Sequence, residues 1–345
     1  MLSSYDKFIN RIRQINEYID YVYCCDSYLN LKLDKTRCKY RKELMQFQDL
    51  IKQIPKRQFD YSVVIISLYG CFEQCIEDLI KEYLVIIVNK YNRYSELPKN
   101  IQDNNVNLSI ILLTKLDQSK YIGIVSKENI INNLHECIYN NKSRINYDSF
   151  CQHNANFRIQ TISEVFKNIG FNNILKEITK NEELKNIYLK ENGNCNYESL
   201  ELNNVFSFVN ELADRRNKIA HGSIDDILQI ELQKVLVKKI ELFMQEINKI
   251  IFKKTIPYRI GESYKISKVY EAKGKLLCCQ ISNITVKLMD ILFIKRNDKF
   301  ELAKIIDIEI EHKKNKSVTA NEDIDIGLKL DINTKPNDEY WLYSV

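Results

Sequence analysis

The chain has 345 residues, 45% of them hydrophobic, which is enough for two domains with a core each. A net charge of +5, with 28% charged residues of mixed sign, describes an ordinary surface, so nucleic-acid binding cannot be argued from charge alone. With only 8 Gly and 4 Pro, nothing in it reads as disordered.

Tyr5, Phe8, Ile9, Ile12, Ile15 and Ile19 recur at helical spacing and predict a first helix. The opening MLSSYDKFINRIRQ carries Asp6 and Arg11 where a secretory signal would be apolar, which points to the cytoplasm. Further helices are expected over Leu44–Ile51, Tyr61–Tyr91, Ile110–Leu116, Ile130–Tyr139, Ile159–Ile169 and Leu184–Leu189. The most apolar stretch, Tyr61–Phe72, is stopped by Glu73 well short of the roughly 18 residues a membrane span requires, so no membrane association is expected. A helix over Leu202–Gly222 comes next, and a last one is predicted from about Ile224 to Phe252 with Ser223 as its cap.

After Lys253-Lys254 the texture changes. Ile256-Pro257-Tyr258 is expected to break the helix, and short β-rich runs follow: SYKISKVY, KLLCCQIS, DILFIKR, LAKIIDIEIE, IGLKL and YWLYSV. Five or six strands at this spacing predict a small barrel. The fold class read from sequence is therefore multi-domain α plus β, an all-α bundle over 1–254 followed by a β-barrel over 255–345.

The ten cysteines contain no pair of C-x2-C units with zinc spacing. Cys71 and Cys75 fall one helical turn apart on an apolar face, where a reduced thiol acts as a small hydrophobe. No metal and no cofactor is expected, and a reducing compartment follows.

Arg216-Asn217-Lys218-Ile219-Ala220-His221, followed by Gly222, is the stretch that carries chemistry. An imidazole, with an ordinary pKa near 6.5, exchanges a proton at cellular pH, and a guanidinium holds a phosphate as charge builds on it. Metal-free RNA cleavage requires that pair. Asn217 and His221 are i and i+4, about 40° apart around a helix, whereas Arg216 lies about 140° from His221. Arg216 must therefore reach around the helix or meet the imidazole of a second copy, which points to a homodimer. Each residue also has a plain alternative: Arg216 could pair with Asp214 or Glu211, Asn217 could cap the helix, and a lone His is often structural.

The segment LNNVFSFVNELADRRNKIAHG, Leu202–Gly222, resembles the active-site helix of the HEPN superfamily, whose ribonucleases carry Arg, a polar residue, three variable positions and His. The match falls on Arg216, Asn217 and His221. YSVVIISLYGCFEQCIEDLIKEYL, Tyr61–Leu84, resembles the helix of the RiboL-PSP group, with an acidic residue, Glu73, after an aromatic. NANFRIQTISEVFKNIG resembles the family segment in which Asn and Arg lead into a helix ending in Gly. On this resemblance Glu73, Asp214, Arg215, Asn156 and Arg158 are supporting candidates: Glu73 to orient an imidazole or balance Arg216, Arg215 to anchor phosphate. The implied reaction is attack of an RNA 2′-hydroxyl on the adjacent phosphate.

Ser263–Val345 is similar to the second domain of elongation factor Tu and its relatives, through KVYEAKGKLLCCQIS, ITVKLMDILFI and the final aromatic strand. It departs at Met289, where that family has Gly before the residue matching Asp290, which puts the tight turn there in question. No G-x4-G-K-[ST] loop accompanies it. The two resemblances together imply RNA as partner, tRNA foremost, a toxin or antiphage role and an operon-encoded regulator. The alternative they leave open is a non-catalytic subunit that binds RNA or a partner protein.

Overall fold

The computed structural model describes residues 2–29, 39–52, 54–118, 120–153, 155–193, 195–297 and 299–343. The chain divides into two compact units, Met1–Ile250 and Ile251–Val345.

The first unit is helical: α1 (Ser3–Leu29), α2 (Arg41–Lys52), α3 (Lys56–Lys90), α4 (Lys99–Leu113), α5 (Lys127–Ile138), α6 (Tyr147–Phe150), α7 (Ile159–Asn168), α8 (Ile174–Ile178), α9 (Glu182–Asn192), α10 (Leu202–Val205), α11 (Ser207–Ala220) and α12 (Ile230–Arg259). Its axis is α3, whose Ile65, Leu68, Phe72, Ile76, Leu79 and Ile80 are fully buried. That spacing is the 3.6-residue period of a helix enclosed by neighbours. α1 packs along one side of it, its own Phe8, Ile12, Ile15 and Ile19 buried. On another side, the rings of Phe206, Phe208 and Phe243 meet edge to face at 5.3–6.2 Å, and Phe72 of α3 stands 6.3 Å from Phe243. This cluster seats α11 between α3 and α12.

Two helix ends are set by glycine. Gly222 has φ +75°; its N–H donates to Ile219, and that of Ser223 to Lys218. Gly170 repeats the arrangement with φ +95° after α7, where Phe166 and Phe171 also pack ring to ring. Both are left-handed C-caps, which a residue with a Cβ enters at a penalty. Ser223 therefore belongs to the end of α11. The expected cap of a last helix from Ile224 is corrected: α12 begins at Ile230, after an irregular stretch over 224–229.

The expected break at Pro257 is also corrected, because α12 continues through it to Arg259. Proline inside a helix costs about 3 kcal/mol, so burial must offset it. Phe252 and Ile256 are buried, Phe252 lies against the rings of Phe293 and Tyr343, and the Arg259 guanidinium covers Phe252 and Tyr343 while donating to the Tyr343 hydroxyl at 2.6 Å.

The second unit holds β1 (Tyr264–Ile266), β2 (Lys268–Ile281), β3 (Ile284–Lys287), β4 (Ile291–Arg296), β5 (Lys299–Ile310), β6 (Lys313–Asn315), β7 (Ser317–Ala320), β8 (Ile324–Thr334) and β9 (Glu339–Tyr343). The antiparallel sheet has the order β1-β9-β4-β5-β8-β2, with β6 added to β5, and β3 pairs with β7 in a separate ribbon. The edge strands β1 and β2 are separated by Ser267 alone. One residue cannot form a hairpin, so these edges meet at a corner and do not pair. The result is a curled, open half-barrel where a closed barrel was expected. Leu277, Cys279, Ile281, Leu292, Ile294, Ile305, Leu328 and Leu330 fill its concave side.

Met289 takes φ +72° and the turn forms without glycine. The Lys287 N–H donates to the Asp290 carboxylate at 2.7 Å, Met289 N–H to Ile305 O at 2.8 Å, and Ile305 N–H to Asp290 O at 3.0 Å.

Candidate functional site

Asn210, Asp214, Asn217 and His221 follow one another at i, i+4, i+7 and i+11, a single stripe along α11 and its end. The first three hold the segment that enters α7. Asn210 Oδ1 accepts from Ile159 N–H at 3.1 Å, which caps α7 from another helix. Asp214 receives the Arg158 guanidinium, and Asn217 Oδ1 accepts from Asn156 Nδ2 at 2.5 Å. Residues 156–159 thus form a strap across α11. Its Phe157 is fully buried and donates its N–H to the Tyr69 hydroxyl at 2.9 Å.

The three arginines of the site differ sharply. Arg158 is spent on Asp214. Arg215 donates to Glu211 at 2.8 Å, to the Tyr61 hydroxyl at 2.8 Å, and to the carbonyl and carboxylate of Asp226 at 3.0 and 3.2 Å. It ties α11 to α3 and to the 224–229 stretch, so its donors are committed within the chain. Arg216 makes no ion pair among the described residues. Its guanidinium lies over the Tyr69 ring, 5.5 Å from the centroid, and donates weakly to Asn217 Oδ1 at 3.4 Å. Burial, and then the nearby Glu73 charge, raise the Tyr69 pKa, so the phenol keeps its proton as a platform and donor.

His221 is the C-cap residue of α11; its backbone N–H donates to Asn217 O at 3.0 Å. Its side chain is exposed and bonds to nothing among the described residues. Asn217 is engaged with Asn156 and Arg216, not with the helix backbone, so it does not cap α11. The motif residues therefore stand at the solvent-facing end of α11, with Arg216 and Asn217 half-buried and His221 open.

Glu73 lies elsewhere. Tyr69, Glu73 and Glu77 are spaced by four on α3 and form their own stripe. Glu73 accepts from the Tyr69 hydroxyl at 3.5 Å, and the imidazole it faces is that of His153, at 3.4 Å, not His221. Glu77 is 3.3 Å from the same Nε2 and bonds to Lys120. Burial alone would raise the Glu77 carboxyl, but the bonds from His153 and Lys120 outweigh it and hold the group below the usual carboxylate range.

Tyr69, Asn210, His153, Glu77 and Lys120 were not singled out from sequence. The four-residue spacings of Asn210 with Asp214 and of Tyr69 with Glu73 and Glu77 were readable there; what they face was not. A separate groove of about 720 Å³ between α1 and α3 is lined by Lys7, Arg11, Ser67, Cys71 and Gln74, and no motif residue lines it. Burial pushes the Cys71 thiol up to about 12, which keeps it protonated.

The RiboL-PSP-HEPN family matches residues 36–253, which takes in α3, the strap and the whole of α11. The chain belongs to this family. HEPN membership is consistent with ribonuclease activity. No curated protein and no solved structure matches the chain. No helix among the described residues is long and apolar enough to cross a membrane.

Proposed function

We propose that this HEPN protein is a metal-independent endoribonuclease acting through Arg216, Asn217 and His221. The observation that carries the reading is the contrast between the arginines. Arg158 and Arg215 are consumed by carboxylates, whereas Arg216 is held over Tyr69 with no carboxylate partner among the described residues, and His221, five residues on at the end of the same helix, is exposed. A guanidinium kept clear of internal anions is available for a phosphate.

In the proposed reaction the ribose 2′-hydroxyl attacks the adjacent phosphorus. His221 takes the proton from the nucleophile or gives one to the departing 5′-oxygen, and Arg216 stabilises the charge on the phosphorane. Asn217, positioned by Asn156, orients the phosphate or the imidazole. The products carry a 2′,3′-cyclic phosphate and a 5′-hydroxyl. Because Arg216 and His221 are about 140° apart around one helix, the complete cleft takes the Arg of one copy with the His of another, across a two-fold axis. The similarity read in the sequence of Ser263–Val345 to a tRNA-contacting domain is the ground for proposing tRNA as substrate and an effector role in toxin or antiphage systems, under an operon-encoded regulator.

The test is incubation of the purified protein with total tRNA and with an oligoribonucleotide carrying a single 2′-deoxy position. Cleavage is expected to disappear with His221→Ala and at the deoxy position. Turnover of the deoxy substrate at that position would remove the mechanism. Full activity of a strictly monomeric protein would remove the shared cleft alone.

A further inference from the structure

Asn217 can serve the phosphate or the imidazole, and the bonds around its amide decide between them. A side-chain amide has an accepting oxygen with two lone pairs and a nitrogen that only donates. One end of the Asn217 amide faces the Asn156 amide at 2.5 Å and the Arg216 guanidinium at 3.4 Å. A guanidinium has no acceptor, so the atom facing it is the oxygen, and Asn156 must turn its own nitrogen toward that oxygen. Two donors thereby occupy the lone pairs of Oδ1, and none is left to accept an N–H from His221 on the same helix face. What remains is Nδ2, which bonds to no group among the described residues and is not among the atoms sealed from water. Oδ1 and Nδ2 share one carbon, so this free donor stands beside the Arg216 guanidinium over the Tyr69 ring.

We infer, on the nuclease reading above, that Asn217 Nδ2 is a second phosphate donor beside Arg216, and that Asn156 is the positioning residue that turns it outward. The imidazole gains nothing from such a donor. A neutral His221 has one unprotonated nitrogen, and a bond from Nδ2 would take up the lone pair a general base needs; a protonated His221 has no acceptor at all. A phosphate oxygen accepts from both Nδ2 and the guanidinium, and its growing charge strengthens both bonds. Asn156 reaches Asn217 from the strap, 61 residues earlier in the chain. Without its N–H the Asn217 amide is free to turn over, which would present Oδ1 to the phosphate and repel it.

The experiment is a double-mutant cycle of Asn156→Leu and Asn217→Leu in the full chain, which keeps each side chain's shape and removes its polar atoms. Cleavage is measured per folded molecule across pH, and binding is measured with the all-2′-deoxy strand of the same sequence. Asn217→Leu is expected to lower kcat by about 100-fold, as for one lost anion donor, with the pH profile unmoved because the imidazole is not touched. Asn156→Leu should lower kcat by about tenfold alone and by less than about twofold in the Asn217→Leu background, since it acts only through Asn217. Equal losses in both backgrounds would mean that Asn156 merely braces the strap, and they overturn the inference; a displaced pH profile in Asn217→Leu overturns it too. If wild type does not cleave RNA, the nuclease reading falls and the cycle on binding decides. Asn156→Leu weakening the deoxy strand only where Asn217 is present then supports the donor, and equal weakening overturns it. Asn156→Ala replaces Asn156→Leu if the latter does not fold.

Discussion

Arg215 and Arg216 are adjacent and chemically identical, yet their contacts predict opposite consequences of truncation. Arg215→Ala removes four hydrogen bonds. The pairs with Glu211 and Asp226 involve carboxylates that are 45% and 68% exposed, so solvent screens them to about 0.5 kcal/mol each. The bond to Tyr61 matters more: Tyr61 is 3% exposed, and a hydroxyl left there without a partner costs about 1–2 kcal/mol. The sum is about 2–3 kcal/mol, a fall in melting temperature of about 4–12 °C for a unit of this size. Arg216→Ala removes a stacking contact on Tyr69 and one long bond, about 1 kcal/mol, while a lost transition-state donor lowers kcat by about 100- to 1000-fold. Urea or thermal unfolding of both variants, with RNA cleavage measured per folded molecule, separates the two. Equal loss of stability in both, or an Arg215→Ala protein that is fully stable and inactive, would refute the assignment of roles.

Asn210→Ala should cost about 1 kcal/mol, as for a lost helix cap, and raise amide exchange over 156–159, measurable by hydrogen exchange. Glu82 offers a pH test. Burial pushes its carboxyl up, but the Ser4 hydroxyl and the Ser3 and Ser4 N–H groups at the start of α1 outweigh that and leave it below the usual range. A folded pKa below the unfolded one stabilises the protein above about pH 4.3 and loses that contribution as pH falls through the folded value. The stability gap between wild type and Glu82→Gln, about 1 kcal/mol at pH 7, should therefore close on acidification; a gap constant down to acid unfolding contradicts the linkage. Met289→Gly relieves a left-handed side-chain penalty and should raise unfolding stability of the second unit by about 0.5–1 kcal/mol in urea. A destabilised Met289→Gly protein would show that the strain is absent.

Local chemistry was legible along the chain. The apolar period of α3, the glycine stops at Gly170 and Gly222 and the spacing from Arg216 to His221 depend only on residues within a turn or two of each other, so sequence alone decides them. The Arg-Asn-x3-His signature and its family followed from the same short range. The open sheet did not, because closure depends on whether strands far apart in sequence pair, and the two edge strands β1 and β2 do not. Neither did the continuation of α12 through Pro257, where packing of Phe252 and Ile256 overrides a local preference.

Which arginine stays available is likewise a tertiary matter. Asp214 and Glu211 were both candidate partners for Arg216 from sequence, and Arg158, arriving from a segment 56 residues away, takes the first while Arg215 takes the second. Glu73 was readable as an acid beside an imidazole, but the ring it faces belongs to His153, because α3 and the segment before the strap are brought together only in the folded bundle. Sequence determined the candidate groups and their helix, since these are set by short-range geometry. The fold decided which of them remain unpaired, because pairing is won by whichever charge the distant chain delivers.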